Sequence, residues 1–240
     1  RAGAGKTFTL DAVREAFEAS GHRVIGTSLA ARAAKELQAG AGIPSTTVHS
    51  LQADLESGRR KLRAGDVVVV DEAGMLGTIL MADIVERASR AEAKVILVGD
   101  PKQLPEIQAG GVLAALAKRH PVVTLTENRR QNDETERWAL QQLRDGHAEV
   151  AVGALRQHGR VVTAPNAETV RDAMVADWWT HRSAGSSALM MARRNADVDD
   201  LNRRARRHVA AAGELQGPPL VVRGRPFQVG DQVICTRNDY

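Results

Sequence analysis

Arg1-Ala2-Gly3-Ala4-Gly5-Lys6-Thr7 is the stretch on which the reading of the fold turns. Small residues let backbone N–H groups close around an anion, Lys6 adds an ammonium, and Thr7 adds a hydroxyl that can face a divalent cation. The pattern is that of a phosphate-binding loop, G-x-x-x-x-G-K-[ST], with the first glycine falling immediately before residue 1. Leu10, Val13 and Phe17 then mark one face of a helix, and Ser20-Gly21 is its expected stop. The absent first glycine, the absence of an initiator Met and the end at Tyr240 lead to the expectation of a fragment of a longer protein.

Outward from that loop, short apolar runs alternate with helical periods, the pattern of a parallel sheet covered by helices. Val24 to Ser28 reads as a strand, and an Ala-rich helix follows from about Leu29 to Gln38, closed by Gly40 and Gly42. Val67 to Val70 and Val95 to Val98 carry no polar alternation, as expected of strands buried on both faces. Asp71-Glu72 follows the first run and Gly99-Asp100 the second. In an open parallel sheet, ligands bind beyond the carboxyl ends of the strands, so the loop and both acidic pairs converge on one edge.

A second α/β region is expected from Val122. Strands are read at Val122 to Leu125, Val161-Val162 and Ala188 to Met191. Helices are read at Asp133 to Arg144, Ala148 to His158, Ala167 to His181 and Ala196 to Val209. Beyond Pro218-Pro219, residues 220 to 237 read as antiparallel strands. The expected organisation is a P-loop ATPase domain of the RecA-like kind over 1–121 with its first strand missing, part of a second such domain over 122–215, and the start of a small β-module over 216–240.

Composition narrows the classes. The 240 residues are 43% hydrophobic and 3% aromatic, enough for aliphatic cores. The single cysteine, Cys235, excludes an internal disulfide framework and a multi-cysteine zinc site. With no apolar run of about 18 residues and no signal pattern, a cytoplasmic protein is expected. A net charge of +4 permits nucleic acid binding without requiring it. Arg193 to His208 holds six arginines against three aspartates; either a solvated helix face or a phosphate-contacting one accounts for them. Trp138, Trp178 and Trp179 sit at helical positions that favour packing over base stacking.

The chemistry of the edge follows from residue type. Gly3, Ala4, Gly5, Lys6 and Thr7 would cradle phosphates, Thr7 and Asp71 would hold Mg²⁺, and Glu72 would polarise water. Gln103, in the Pro-bounded stretch Gly99-Asp100-Pro101-Lys102-Gln103-Leu104-Pro105, can orient water or sense a γ-phosphate without adding negative charge. Ala2 to Thr7, Asp71-Glu72-Ala73-Gly74-Met75 and Gly99 to Pro105 resemble motifs I, II and III of superfamily 1 helicases, most of all the RecD type and the helicase part of conjugative relaxases of the TraA type.

That resemblance implies an ATP-dependent motor with ATP and Mg²⁺ as cofactors, single-stranded DNA as partner, 5′→3′ movement, and relaxosome or recombination proteins as associates. Thr27 to Leu37 resembles motif Ia and Ser45 to Leu51 motif Ib, which implies DNA contacts at Thr27, Ser28, Thr47 and His49. Leu125 to Gln131 resembles motif IV, and its register assigns an arginine finger to Arg130. No stretch matches motifs V and VI, so this piece is not expected to complete a helicase cycle alone. Two other readings remain open: a superfamily 1 RNA helicase, and a nucleotide-dependent switch or scaffold that does not unwind nucleic acid.

Overall fold

The structure is a computed structural model that describes residues 5–101, 111–126 and 131–233. Its first compact unit, Arg1–Leu155, is built on the valine runs. Helix α1 (Lys6–Ala19) leads into β1 (Val24–Ser28), α2 (Ala31–Ala41), β2 (Ser45–Thr47) and α3 (Val48–Glu56). Strand β3 (Val67–Asp71), a 3₁₀ turn at Ala73–Met75, α4 (Thr78–Arg90), β4 (Lys94–Leu97), α5 (Val112–Ala117), α6 (Glu134–Arg144) and α7 (Ala148–Gln157) follow. The four strands pair in parallel in the order β2-β1-β3-β4, so the expected α/β parallel sheet covered by helices is present.

Strand parity makes this sheet two-sided. Val68 and Val70 point into a core with Val48, Leu51, Leu76, Met81 and Ile84 from α3, α4 and the turn before α4. Val67 and Val69 point the other way, against Leu10, Leu37, Ala41 and Ile43 from α1, α2 and the segment before β2. All four valines are at most 1% exposed, which explains why β3 reads as a continuous apolar run. Helix α2 buries Ala34, Leu37 and Ala41 at helical spacing. It runs through Gly40 and stops at Gly42, whose φ of 63° forms the C-cap, so of the two expected stops only Gly42 ends the helix.

Strand β4 departs from expectation in burial. Val95, Ile96 and Leu97 are half-buried, because β4 lies at the end of the described strand order and β3 is its one strand neighbour there. The runs at 122–125, 161–162 and 188–191 are not strands. Val123, Val162, Leu189 and Met191 are each at least 75% exposed. A strand needs a ladder neighbour to satisfy its backbone, and none of the described strands pairs with these runs.

The second compact unit, Arg156–Tyr240, contains α8 (Ala167–Ser183), α9 (Asn195–Ala211) and the antiparallel pair β5 (Gln216–Val222) and β6 (Arg225–Val229). An antiparallel pair is present as expected, but it starts earlier than the expected 220–237: β5 contains Pro218 and Pro219, which fall where its register shifts between Gln216 and Leu220, and β6 contains Pro226. Asn166 caps α8 by accepting from the Thr169 N–H at 2.9 Å. No helix among the described residues is long and apolar enough to cross a membrane.

Candidate nucleotide site

Register puts the chemistry at one edge. Ser28 of β1 lies opposite Thr47 of β2 and Asp71 of β3, and Val70 lies opposite Leu97 of β4, so four strands end together. Helix α1 begins at the same edge, and the Lys6 ammonium lies 2.8 Å from Glu72 Oε1 and 3.8 Å from Asp71 Oδ1. The phosphate-loop lysine and the acidic pair, 65 residues apart for Asp71 and 66 for Glu72, therefore share one site.

The local backbone explains the arrangement. Gly5 caps α1 in the left-handed region at φ 77° and contributes no side-chain hydrogen bond to the helix, which leaves the first-turn N–H groups without a side-chain cap. Thr7 sits in that first turn, exposed. Gly40 of α2 packs against the Thr7 methyl so closely that an added Cβ would overlap it. Glu72 adopts φ 50° and ψ 39°, an uncommon conformation for a residue with a side chain and one that concentrates at functional sites. Its N–H donates to Asp71 Oδ1 at 2.9 Å. Burial pushes the Asp71 carboxyl above the usual carboxylate range, and the Lys6 ammonium acts in the opposite sense.

Several features of the edge suit a magnesium–nucleotide. Lys6 supplies a cation, the α1 N-terminus supplies N–H donors, and Asp71 supplies a hard oxygen ligand beside them. Ser28, level with Asp71, is fully buried, and its hydroxyl has no hydrogen-bond partner among the described residues. A hydrated cation held at Asp71 would meet that need.

Other expected site residues fall differently. Thr27 and Ser28 are 0% exposed inside β1, so their side chains are enclosed rather than presented to DNA as the resemblance implies. Thr47 accepts from the Ser50 N–H at 3.2 Å and caps α3, while His49 is exposed on the first turn of that helix. Gly3, Ala4, Gln103 and Arg130 lie outside the described residues.

Asp100 and Arg144 form a pairing that sequence reading missed. The Arg144 guanidinium, at the end of α6, donates to both Asp100 oxygens at 2.5 and 3.1 Å, and the Asp100 side chain is 2% exposed. The acidic group at 100 was legible as a strand-end residue. Its partner, 44 residues away, carried no signal beyond helical periodicity.

The basic stretch of α9 resolves toward internal pairing. Arg203 and Arg204 both bind Asp200, Arg204 also binds Asp172, and Arg206 binds Asp231 and Gln228. Trp178 and Trp179 lie under Arg182, with its guanidinium 5.7 and 5.5 Å from their ring centres, and Trp179 stacks on His208 at 5.5 Å. These two rings are engaged in packing. Trp138 is 47% exposed.

Comparison with known proteins fits this geometry. A family model described as AAA domain matches residues 1–166. Across 100% of its length the chain is 37% identical to a probable conjugal transfer protein TraA of Sinorhizobium fredii, and it covers 22% of that protein. It is 32% identical over 83% of its length to the RecBCD enzyme subunit RecD of Mycolicibacterium smegmatis, covering 40% of that protein. It is 36% identical over 54% of its length to the ATP-dependent RecD2 DNA helicase of Deinococcus radiodurans, covering 18% of that protein. The chain thus spans about a fifth of the length of the TraA relative. With a phosphate-loop lysine docked on a strand-end acidic pair and a family match over more than half its residues, the chain belongs to the AAA domain family.

Proposed function

We propose that the chain is the ATP-hydrolysing part of a DNA translocase of the RecD/TraA type, moving 5′→3′ along single-stranded DNA. The observation that carries this reading is the Lys6–Glu72–Asp71 cluster at the carboxyl edge of β3. The names of the relatives support the DNA substrate and a conjugal-transfer setting. Relaxosome or recombination proteins are the proposed associates. Lobes over 1–121 and 122–215 and a β-module over 216–240 belong to the same proposal.

In this reading Gly3, Ala4, Gly5 and Lys6 bind the phosphates of ATP, and Thr7 and Asp71 hold Mg²⁺. Bound Mg²⁺ supplies charge neutralisation at the phosphate oxygens. Lys6 exchanges its 2.8 Å contact with Glu72 for a phosphate oxygen, which frees the Glu72 carboxylate to accept a proton from the attacking water. Gln103 orients that water, and Arg130 adds a guanidinium to the charge that develops on the transferred group. Thr47 and His49, at the edge where β2 ends, are the proposed DNA contacts. Thr27 and Ser28 support that surface from inside the sheet.

The test is ATP hydrolysis by the chain with and without single-stranded DNA. Glu72→Gln should lower the DNA-stimulated rate by at least about 100-fold while leaving fluorescent-nucleotide binding intact. Lys6→Ala should abolish that binding. An ATPase indifferent to both DNA and Glu72→Gln would overturn the reading, and equal stimulation by RNA would replace the DNA substrate with RNA.

A further inference from the structure

The sheet has a second edge, at the amino ends of its strands. Register aligns Val24 of β1, Val67 of β3 and Lys94 of β4 there. Two backbone bonds carry the pairing into the preceding loops: the Val67 N–H donates to the Arg23 carbonyl and the Lys94 N–H to the Asp66 carbonyl, each at 2.8 Å. The five residues of β3 put this edge about 13 Å from Asp71, away from the nucleotide site and from Thr47 and His49.

Asp66 organises the loop that leads into β3. Its carboxylate accepts from Arg23 Nε and Nη2 and from the Arg63 N–H. Arg23 Nη2 also donates to the Lys61 carbonyl at 2.8 Å, and the Asp66 N–H donates to the Arg63 carbonyl at 3.0 Å. The Gly65 N–H donates to the Glu92 carbonyl at 3.1 Å, which ties the loops before β3 and β4 together. The charge buried in this scaffold is already matched, because Asp66 is held by Arg23.

The charge it displays is not. Residues 20–23, 57–66 and 91–94 carry six Lys or Arg against two carboxylates, Asp66 and Glu92. Arg59 pairs with Asp54 at 3.1 Å. Arg60, Lys61, Arg63 and Lys94 form no ion pair among the described residues, and Lys61, Arg63 and Lys94 are exposed.

The chemistry of this surface selects its partner. Protein interfaces centre on apolar and aromatic anchors and are depleted in Lys, and none of the exposed large hydrophobic residues falls in these three loops. Single strands are gripped by stacking their bases on aromatic rings. Phe17, the phenyl ring at this edge, is half-buried, covered by the Lys94 ammonium 5.3 Å from its centre and edge-on to His22 at 6.0 Å. Cations without a stacking platform suit the phosphates of a duplex, whose bases already stack on one another.

We propose that the amino edge of the sheet, through Lys61, Arg63 and Lys94, binds the phosphate backbone of duplex DNA flanking the single strand. The proposal rests on the proposed function for DNA as the partner, and it needs neither ATP nor the catalytic residues.

The experiment follows fluorescence anisotropy of a tailed duplex, and of the same single strand alone, with the 240-residue chain over a salt series without nucleotide. Lys61→Ser combined with Arg63→Ser should weaken tailed-duplex binding about 5- to 30-fold and reduce the slope of log affinity against log salt by about two. Affinity for the bare strand should stay within about twofold. Lys61→Arg combined with Arg63→Lys should bind both DNAs as the parent does, and neither pair should change the melting temperature, since these side chains form no ion pair. Tailed-duplex affinity or slope equal to the parent's would overturn the proposal. Equal losses on both DNAs would also overturn it and move these cations to the single-strand path. Unchanged DNA binding with lost binding of polyglutamate would overturn it in favour of an acidic protein. A chain that binds the tailed duplex through these residues but hydrolyses no ATP would defeat the proposed function and leave this site standing.

Discussion

At the residue scale, buried charges in this chain are held by forks. Asp66, 4% exposed, accepts from Arg23 Nε at 3.1 Å and Nη2 at 2.5 Å and from the Arg63 N–H at 2.8 Å. Burial pushes the Asp66 carboxyl up, but the Arg23 guanidinium and the Arg63 N–H together take it below its ordinary value of 3.8. A carboxyl depressed in the folded state contributes stability that is present in full above its unfolded value and lost as pH falls through its folded value. Asp66→Asn should therefore cost about 1–2 kcal/mol at neutral pH, a range held down because Arg23 is partly exposed. Urea midpoints of parent and variant should converge in acid below 3.8. A constant gap across that range would show that the carboxylate charge is not what Asp66 contributes. Lys6, Asp71 and Glu72 were legible at this scale because their chemistry repeats in residue type and strand position. Arg144 was not, because a fork across 44 residues leaves no mark on local pattern.

At the element scale, the sheet was readable because β3 is buried on both faces and its four valines show it directly. The strands read at 122–125, 161–162 and 188–191 failed on the same criterion. Apolar β-branched residues allow a strand, but only a neighbouring ladder completes one, and no spacing reports a neighbour. The close approach of α1 and α2 at Thr7 was also invisible, since Gly40 read as a helix stop rather than a contact. That contact leads to a prediction. A Cβ at Gly40 would overlap the Thr7 methyl, and rotating Thr7 to relieve the overlap would turn its hydroxyl away from its present direction. Gly40→Ala improves intrinsic helix propensity by about 1 kcal/mol, so thermal stability should hold or rise. The apparent Mg²⁺ requirement for nucleotide binding should nevertheless rise several-fold. A variant that binds magnesium–nucleotide as tightly as the parent would remove Thr7 from the proposed metal site.

At the scale of the whole molecule, the question is where a chain with 33 basic and 29 acidic residues would meet a polyanion. Phosphate contacts release counterions and make affinity fall steeply with salt, roughly in proportion to the number of phosphates neutralised. In the densest basic stretch, three of the four arginines at 203–207 are held by acidic partners, and Arg207 is exposed. Arg204 binds Asp200 and Asp172, Arg203 binds Asp200, and Arg206 holds Asp231 beside Gln228. Arg171 joins the same set through Asp197 and Asp200. These contacts join α8, α9 and the turn after β6, a structural use of arginine that composition alone does not separate from nucleic acid binding. Arg204→Ala should therefore lower the melting temperature of the chain and raise amide exchange along α8 and α9. Oligonucleotide affinity should change by less than about twofold, and the slope of log affinity against log salt should stay constant. His49→Ala, at the exposed start of α3, should show the opposite pattern of weaker DNA binding at unchanged melting temperature. If Arg204→Ala instead flattened the salt slope with no loss of stability, α9 would be part of the DNA path and its ion pairs would be exchanged for phosphates on binding.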